Sequence, residues 1–88
     1  MGKEVDFKNR DNMVQIGITI GSIRRMRGLS QEQLCKKAHI SRSWLSSIEA
    51  PGLAHNFSMD VFLNIADALE VKPEDIINAS KMTDRFMK

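Results

Sequence analysis

A single cysteine in the chain excludes an internal disulfide, and with no C-x-x-C pair the sequence fits a reducing compartment. Long apolar runs are also missing. The longest apolar-rich stretch, residues 13–20, is far short of the ~20 residues that span a membrane. No charged-then-apolar signal segment opens the sequence, and Asp6 stands where a myristoylation site after Gly2 needs serine or threonine. Repeats and low-complexity segments are absent. Together these absences predict a cytoplasmic protein with no membrane attachment.

What is present describes an ordinary globular domain. Apolar residues make up 42% and charged residues 27% of 88 positions, which argues against disorder. A chain of this length forms one domain and buries only ~60–65% of its unfolded surface. That suffices for a small core but not for a deep catalytic cleft as well, so no enzyme is expected. The net charge of +2 is unevenly spread. Residues 10–49 hold seven basic side chains against three acidic, whereas residues 50–88 hold four against six. A basic front half and an acidic back half point to a surface that faces a polyanion.

The order of elements follows from apolar spacing and capping residues. Residues 1–11 lack periodicity and are expected to form a flexible arm. Met13, Ile16, Ile20 and Ile23 then mark one stripe of a helix predicted over residues 12–27, stopped by Gly28. Gly17 and Gly21 lie four apart within it, consistent with either close packing or simple tolerance. Ser30 with Gln33 forms a capping box for a second helix, whose inner face is Leu34, Cys35 and Ala38. His39 and Ile40 make a tight turn, and Ser41 caps a third helix ending near Glu49. Pro51 and Gly52 mark a loop over residues 50–57. Ser58 caps a fourth helix with apolar positions Met59, Phe62, Ile65, Ala66 and Leu69. Pro73 opens a fifth, with Glu74 and Asp75 at its positive end. The fold class is therefore all-α: a compact bundle of about five short helices, with the domain over residues 12–79 and a C-terminal tail, 80–88, that can extend the fifth.

Helices two and three are joined by about three residues, which favours a crossed pair, a helix-turn-helix. Projected at ~100° per residue, Trp44, Leu45 and Ile48 share one face of the third helix. Arg42, Ser43, Ser46 and Ser47 share the other. Exposed helix faces usually carry long charged residues, so three serines leave an unusually low, hydrogen-bonding surface. Such a face can approach the floor of a major groove ~12 Å wide.

The segments Gly28-Leu29-Ser30-Gln31 and Ile40-Ser41-Arg42-Ser43-Trp44-Leu45-Ser46-Ser47-Ile48-Glu49 resemble the Cro and phage-repressor type of helix-turn-helix regulator (lambda-repressor-like, Xre-type). The similarity extends over residues 16–77. It implies that Arg42, Ser43, Ser46 and Ser47 read bases in double-stranded DNA, while Gln31, at the start of helix two, contacts a phosphate. It also implies an ion pair between Arg24 and Glu49. Trp44 is placed at the core edge with its indole N–H toward a phosphate, and Lys37 is a further phosphate contact. The chain departs from the family pattern in Cys35, where alanine is usual, and in His39, where glycine is usual because the turn needs positive φ. The family's glycine after the glutamate is displaced in Ala50-Pro51-Gly52, and the loop lacks basic residues. No DNA contact is therefore assigned to residues 51–57.

Other chemistry finds little support. Cys35 and His39 are four apart, but zinc takes four ligands and His55 is the only further soft one, so no metal and no cofactor is expected. The serines have no His–Asp partners for nucleophilic catalysis. Most of the six methionines read as packing. The expected function is sequence-specific DNA binding by a transcriptional regulator, acting as a homodimer on a palindromic operator. Ile77, Met82 and Phe86 are expected at the dimer interface. Ile76 serves either there or in the core. The rival reading is a protein-interaction module of the same fold, such as an antitoxin holding a partner protein, with weak DNA binding.

Overall fold

A computed structural model describes residues 7–50 and 57–87, with side chains described over residues 10–50 and 57–82. Its five helices are α1 (Phe7–Met26), α2 (Gln31–Ala38), α3 (Arg42–Glu49), α4 (Met59–Leu69) and α5 (Pro73–Met87), and no strand occurs among the described residues. The first helix packs along α5 and against α3, while α2 packs on α4 and crosses α3. Ile20, Leu34, Leu45, Ile65, Leu69 and Ile76, drawn from all five helices, are fully buried at the centre.

Each of the three serine starts has the same chemistry. The hydroxyls of Ser30, Ser41 and Ser58 accept from the backbone N–H of Gln33, Trp44 and Val61, at 3.0, 3.1 and 3.1 Å. These bonds satisfy amides that would otherwise lack a helical partner. At Ser30 the box closes, since its own N–H donates to Gln33 Oε1 at 2.8 Å.

The helix ends are equally regular. After α1, Gly28 has φ 74°, its N–H bonds Arg25 O, and the N–H of Leu29 bonds Arg24 O. This is the Schellman arrangement. It recurs after α4, where Glu70 bonds Asp67 O and Val71 bonds Ala66 O. After α2 the N–H of Ile40 reaches back to Cys35 O in the same way. The residues that follow each turn, Leu29, Ile40 and Val71, all pack half-buried on the core. Only α1 uses glycine for the left-handed position. His39 (φ 60°) and Glu70 (φ 61°) occupy it with a side chain.

Two expectations need correction. Residues 7–11 are helical, so α1 begins five residues before Asn12. Extending a nucleated helix by a turn needs no apolar periodicity, only backbone hydrogen bonds. Residues 1–6 of the expected arm lie outside the described residues. Met59, expected among the apolar positions of α4 with Phe62, Ile65, Ala66 and Leu69, is 66% exposed and lines an open groove instead of the core. Of the two roles left open for Ile76, the core is the one observed, since the side chain is fully buried.

Glycine at either strained turn should relieve strain of order 1 kcal/mol. His39→Gly and Glu70→Gly are each expected to raise the thermal midpoint by about 4–8 °C. A lowered midpoint for His39→Gly would mean that the imidazole makes a contact worth more than the strain.

Candidate nucleic-acid interface

The short α2–α3 connection sets the two helices across one another and presents α3 with one face in and one face out. Leu45 and Ile48 are buried, and Trp44 packs half-buried against the core. Arg42, Ser43 and Ser46 are exposed, and Ser47 is half-buried beside them. The structure thus brings the four expected reading residues onto one outward surface. Lys36 and Lys37 are exposed on α2, as are Arg25 on α1 and Arg27 just after it, and none of these cations is buried against a carboxylate. The Lys36–Glu32 pair, at 3.8 Å and fully in solvent contact, adds little.

Arg24 and Glu49 form the most developed polar contact in the domain. Arg24 Nε donates to Glu49 Oε2 at 2.8 Å, and its Nη2 donates to Oε1 at 3.1 Å. The remaining arm, Nη1, donates to Leu29 O at 2.7 Å, so the guanidinium also fastens the end of α1 to the start of the next connection. Both side chains are about nine-tenths buried. Gln31, half-buried at the first position of α2, donates from Nε2 to Glu49 Oε1 at 3.0 Å. One carboxylate at the end of α3 is therefore held by α1 and α2 together.

The two glycines of α1 explain how α3 comes so close. A Cβ on Gly17 would collide with the backbone carbonyl of Ile48, and one on Gly21 would stand 3.2 Å from the Glu49 carboxyl. Of the two readings of this pair, close packing is the one the geometry requires. Gly17, Gly21 and Arg24 are spaced four and three apart, a single stripe of α1 turned toward α3.

Cys35 is buried, and burial first, then the negative charge of Glu49, pushes its thiol up from the ordinary range. Arg42 and the thiol's own backbone hydrogen bond pull the other way, more weakly. No three potential metal ligands come together among the described residues, and His55 lies outside them. No helix of the described residues is long and apolar enough to cross a membrane.

Away from α3, an open groove of about 160 Å³ is lined by Met13 and Ile16 of α1, Phe57, Met59 and Phe62 at the start of α4, and Ile77 of α5. Ile77 and Met82, the residues expected at a dimer interface, are exposed, and so are Met59 and Leu63 of α4, which sequence reasoning did not place there. The side chain of Phe86 lies outside the described residues. The signal for Leu63 was present, an apolar residue four after Met59 on one face of α4, but it competed with the stronger inner stripe.

A helix-turn-helix domain model matches residues 15–76, most of the chain. The chain belongs to the helix-turn-helix family. Its five-helix, Xre-type form is shared with the restriction–modification controller protein C.AhdI from Aeromonas hydrophila, at 30% identity, TM-score 0.67, covering 73% of this chain and 94% of that one. The clp gene regulator ClgR from C. glutamicum has the same fold at 18% identity and TM-score 0.74, covering 82% and 91%. So does the wild-type restriction–modification controller protein C.Esp1396I, at 22% identity and TM-score 0.71, covering 90% and 99%. No curated protein matches the sequence. This helix-turn-helix domain is thus of the DNA-binding transcriptional-regulator kind.

Because the Ile48 carbonyl is backbone and cannot swing away, Gly17→Ala should lower stability by about 1–3 kcal/mol. Helix propensity alone would predict a gain of ~0.5–1 kcal/mol. Gly21→Ala should cost less, since its Cβ would stand 3.2 Å from the Glu49 carboxyl, a tightness relieved by a small displacement that keeps the Arg24 pair. Thermal melts of the two variants check the order, and a raised midpoint for Gly17→Ala would contradict the close approach.

Proposed function

We propose that this chain is a sequence-specific double-stranded DNA-binding regulator that lays α3 in the major groove and binds a palindromic operator as a homodimer. One observation supports this above others: Arg42, Ser43, Ser46 and Ser47 form an outward face with no competing long side chain, and Gln31 is tied to the end of the same helix through Glu49. Lys37 and the Trp44 indole are assigned as further phosphate contacts, in addition to Gln31. Identity of 30% with a restriction–modification controller favours that setting over a phage repressor or an antitoxin. In each setting the chemistry at the groove is the same.

One recognition helix reads only a few base pairs, so doubling the site through a dimer with half-sites ~34 Å apart supplies the missing discrimination. The second copy would cover the apolar surface of Met59, Leu63, Ile77 and Met82, and Phe86 is assigned to the same interface from its sequence alone. Light scattering at tens of micromolar should give twice the chain mass, and Met59→Lys with Ile77→Lys should give a folded monomer. A wild-type protein that stays monomeric would remove the dimer from the proposal.

Arg42 is the sharpest test of base reading. It is the first residue of α3 and the only long, permanently charged side chain on the proposed face. Arginine there can bond guanine O6 and N7 together, discriminating by ~1–3 kcal/mol. After an operator is selected from random duplex pools by gel shift, Arg42→Ala should lose preference at one base pair per half-site and remain selective elsewhere. Equal loss on every sequence, with a smaller salt slope, would instead make Arg42 a phosphate contact. Absence of duplex binding by the wild type would favour the protein-interaction reading.

A further inference from the structure

The hydrogen bond between Gln31 and Glu49 does more than tie α2 to α3. An amide can present either its oxygen or its nitrogen to a neighbour, and in most glutamines the choice is open. Here it is dictated. An ionised carboxylate only accepts, so Glu49 Oε1 must face Gln31 Nε2, as the 3.0 Å contact has it. Glu49 cannot turn away to release the amide, because Oε2 and Oε1 are both engaged by Arg24 at 2.8 and 3.1 Å, and the side chain is about nine-tenths buried. Nε2 carries two hydrogens, so one remains for an outside acceptor.

We propose that Glu49 is a positioning residue for DNA binding: it fixes the Gln31 amide so that the second Nε2–H donates to a DNA phosphate at the start of α2. This rests on the DNA-binding reading above and on Gln31 as a phosphate contact. Two consequences follow from the geometry. The ordering of a flexible side chain is completed before DNA arrives, so less is lost on binding. The negative charge needed to hold the amide is itself neutralised by the Arg24 fork, so the phosphate meets a donor and not an exposed carboxylate. Because Glu49 is also the last residue of α3, the phosphate contact and the reading helix share one anchor.

The test uses the full chain and its selected operator, with single phosphates replaced in turn by uncharged methylphosphonate. Wild-type protein should lose affinity roughly tenfold at one phosphate per half-site through Gln31, the effect of one charge-assisted hydrogen bond. Gln31→Ala should bind the natural duplex about as weakly and show no further loss at that phosphate. Glu49→Gln, whose amide accepts either face of Gln31, should reduce the effect at that one phosphate. Adding Gln31→Lys to Glu49→Gln should restore the effect, because an ammonium donates in every direction. A general loss of folding would not be rescued in this way.

If Glu49→Gln melts before it can be assayed, the side-chain amide resonances of Gln31 in the wild type decide. One Nε2 proton should keep its free-state shift on adding operator while the other moves. Two protons moving together would overturn the proposal. So would a phosphate effect that Glu49→Gln leaves unchanged. Wild-type protein that binds no duplex would overturn the proposal and the DNA-binding reading at once.

Discussion

The carboxylate of Glu49 is the point on which the arrangement of α1, α2 and α3 depends. A negative side chain at the C-terminal end of a helix opposes the helix dipole, and burying it removes the water that would otherwise offset this. The Arg24 fork and the Gln31 amide meet both costs together. A buried pair of this kind is often no more stabilising than apolar residues of equal volume, whereas losing one partner costs ~3–5 kcal/mol. Its distinctive property is direction. An apolar contact tolerates sliding, but two parallel N–H···O bonds from a planar guanidinium fix both distance and angle. Gly17 and Gly21 are the steric half of the same constraint, since the pair can form only where α1 lies almost against the backbone of α3.

The helix stops place the remaining elements. In α1, α2 and α4 the chain leaves the helix through one left-handed residue and then buries the next apolar side chain. A single residue thus both ends a helix and sets the exit direction, which is why three residues can join α2 to α3 across a crossing angle. Two of the three left-handed positions carry a side chain. The domain tolerates that strain because Ile40 and Val71 are drawn onto the core beyond each turn, and because Arg27 donates to Glu70 O at 3.2 Å from the end of α1.

Much of this was legible in the amino-acid order wherever the cause is local. A serine followed three positions later by a free amide, a glycine after an apolar stripe, a proline before two acidic residues: each acts within one turn and can be read from neighbours. The two faces of α3 are legible for the same reason, since the ~100° step per residue sets Leu45 and Ile48 on a different side of the helix from Arg42 and the serines. What escaped is non-local or weakly patterned. The start of α1 carries no apolar repeat. Glu70 resembles any surface glutamate, and only its φ reveals a stop. Met59 fits the apolar spacing of α4 but lies one turn beyond the core it would join. The approach of Gly17 to Ile48 links positions 31 residues apart, and nothing near either residue announces it.

These observations converge on α1. One stripe of that helix, Gly17, Gly21 and Arg24, is turned toward α3. The neighbouring stripe, Met13, Ile16, Ile20 and Ile23, faces the core and the groove shared with α4 and α5. A single continuous helix of 20 residues therefore supports the proposed reading element on one stripe and, on the next, lines the groove bordered by Met59 and Ile77 of the proposed dimer surface. In a dimer, the separation of two recognition helices must match the pitch of DNA within a few ångströms, and any slack between reading element and interface would spread that separation. A rigid helix, with backbone contact and a bidentate ion pair on one flank and close apolar packing on the other, removes the slack at its source. The small residues and the buried charge, each unfavourable in an ordinary helix, then have a common purpose. They fix α3 to the same beam that positions the second copy.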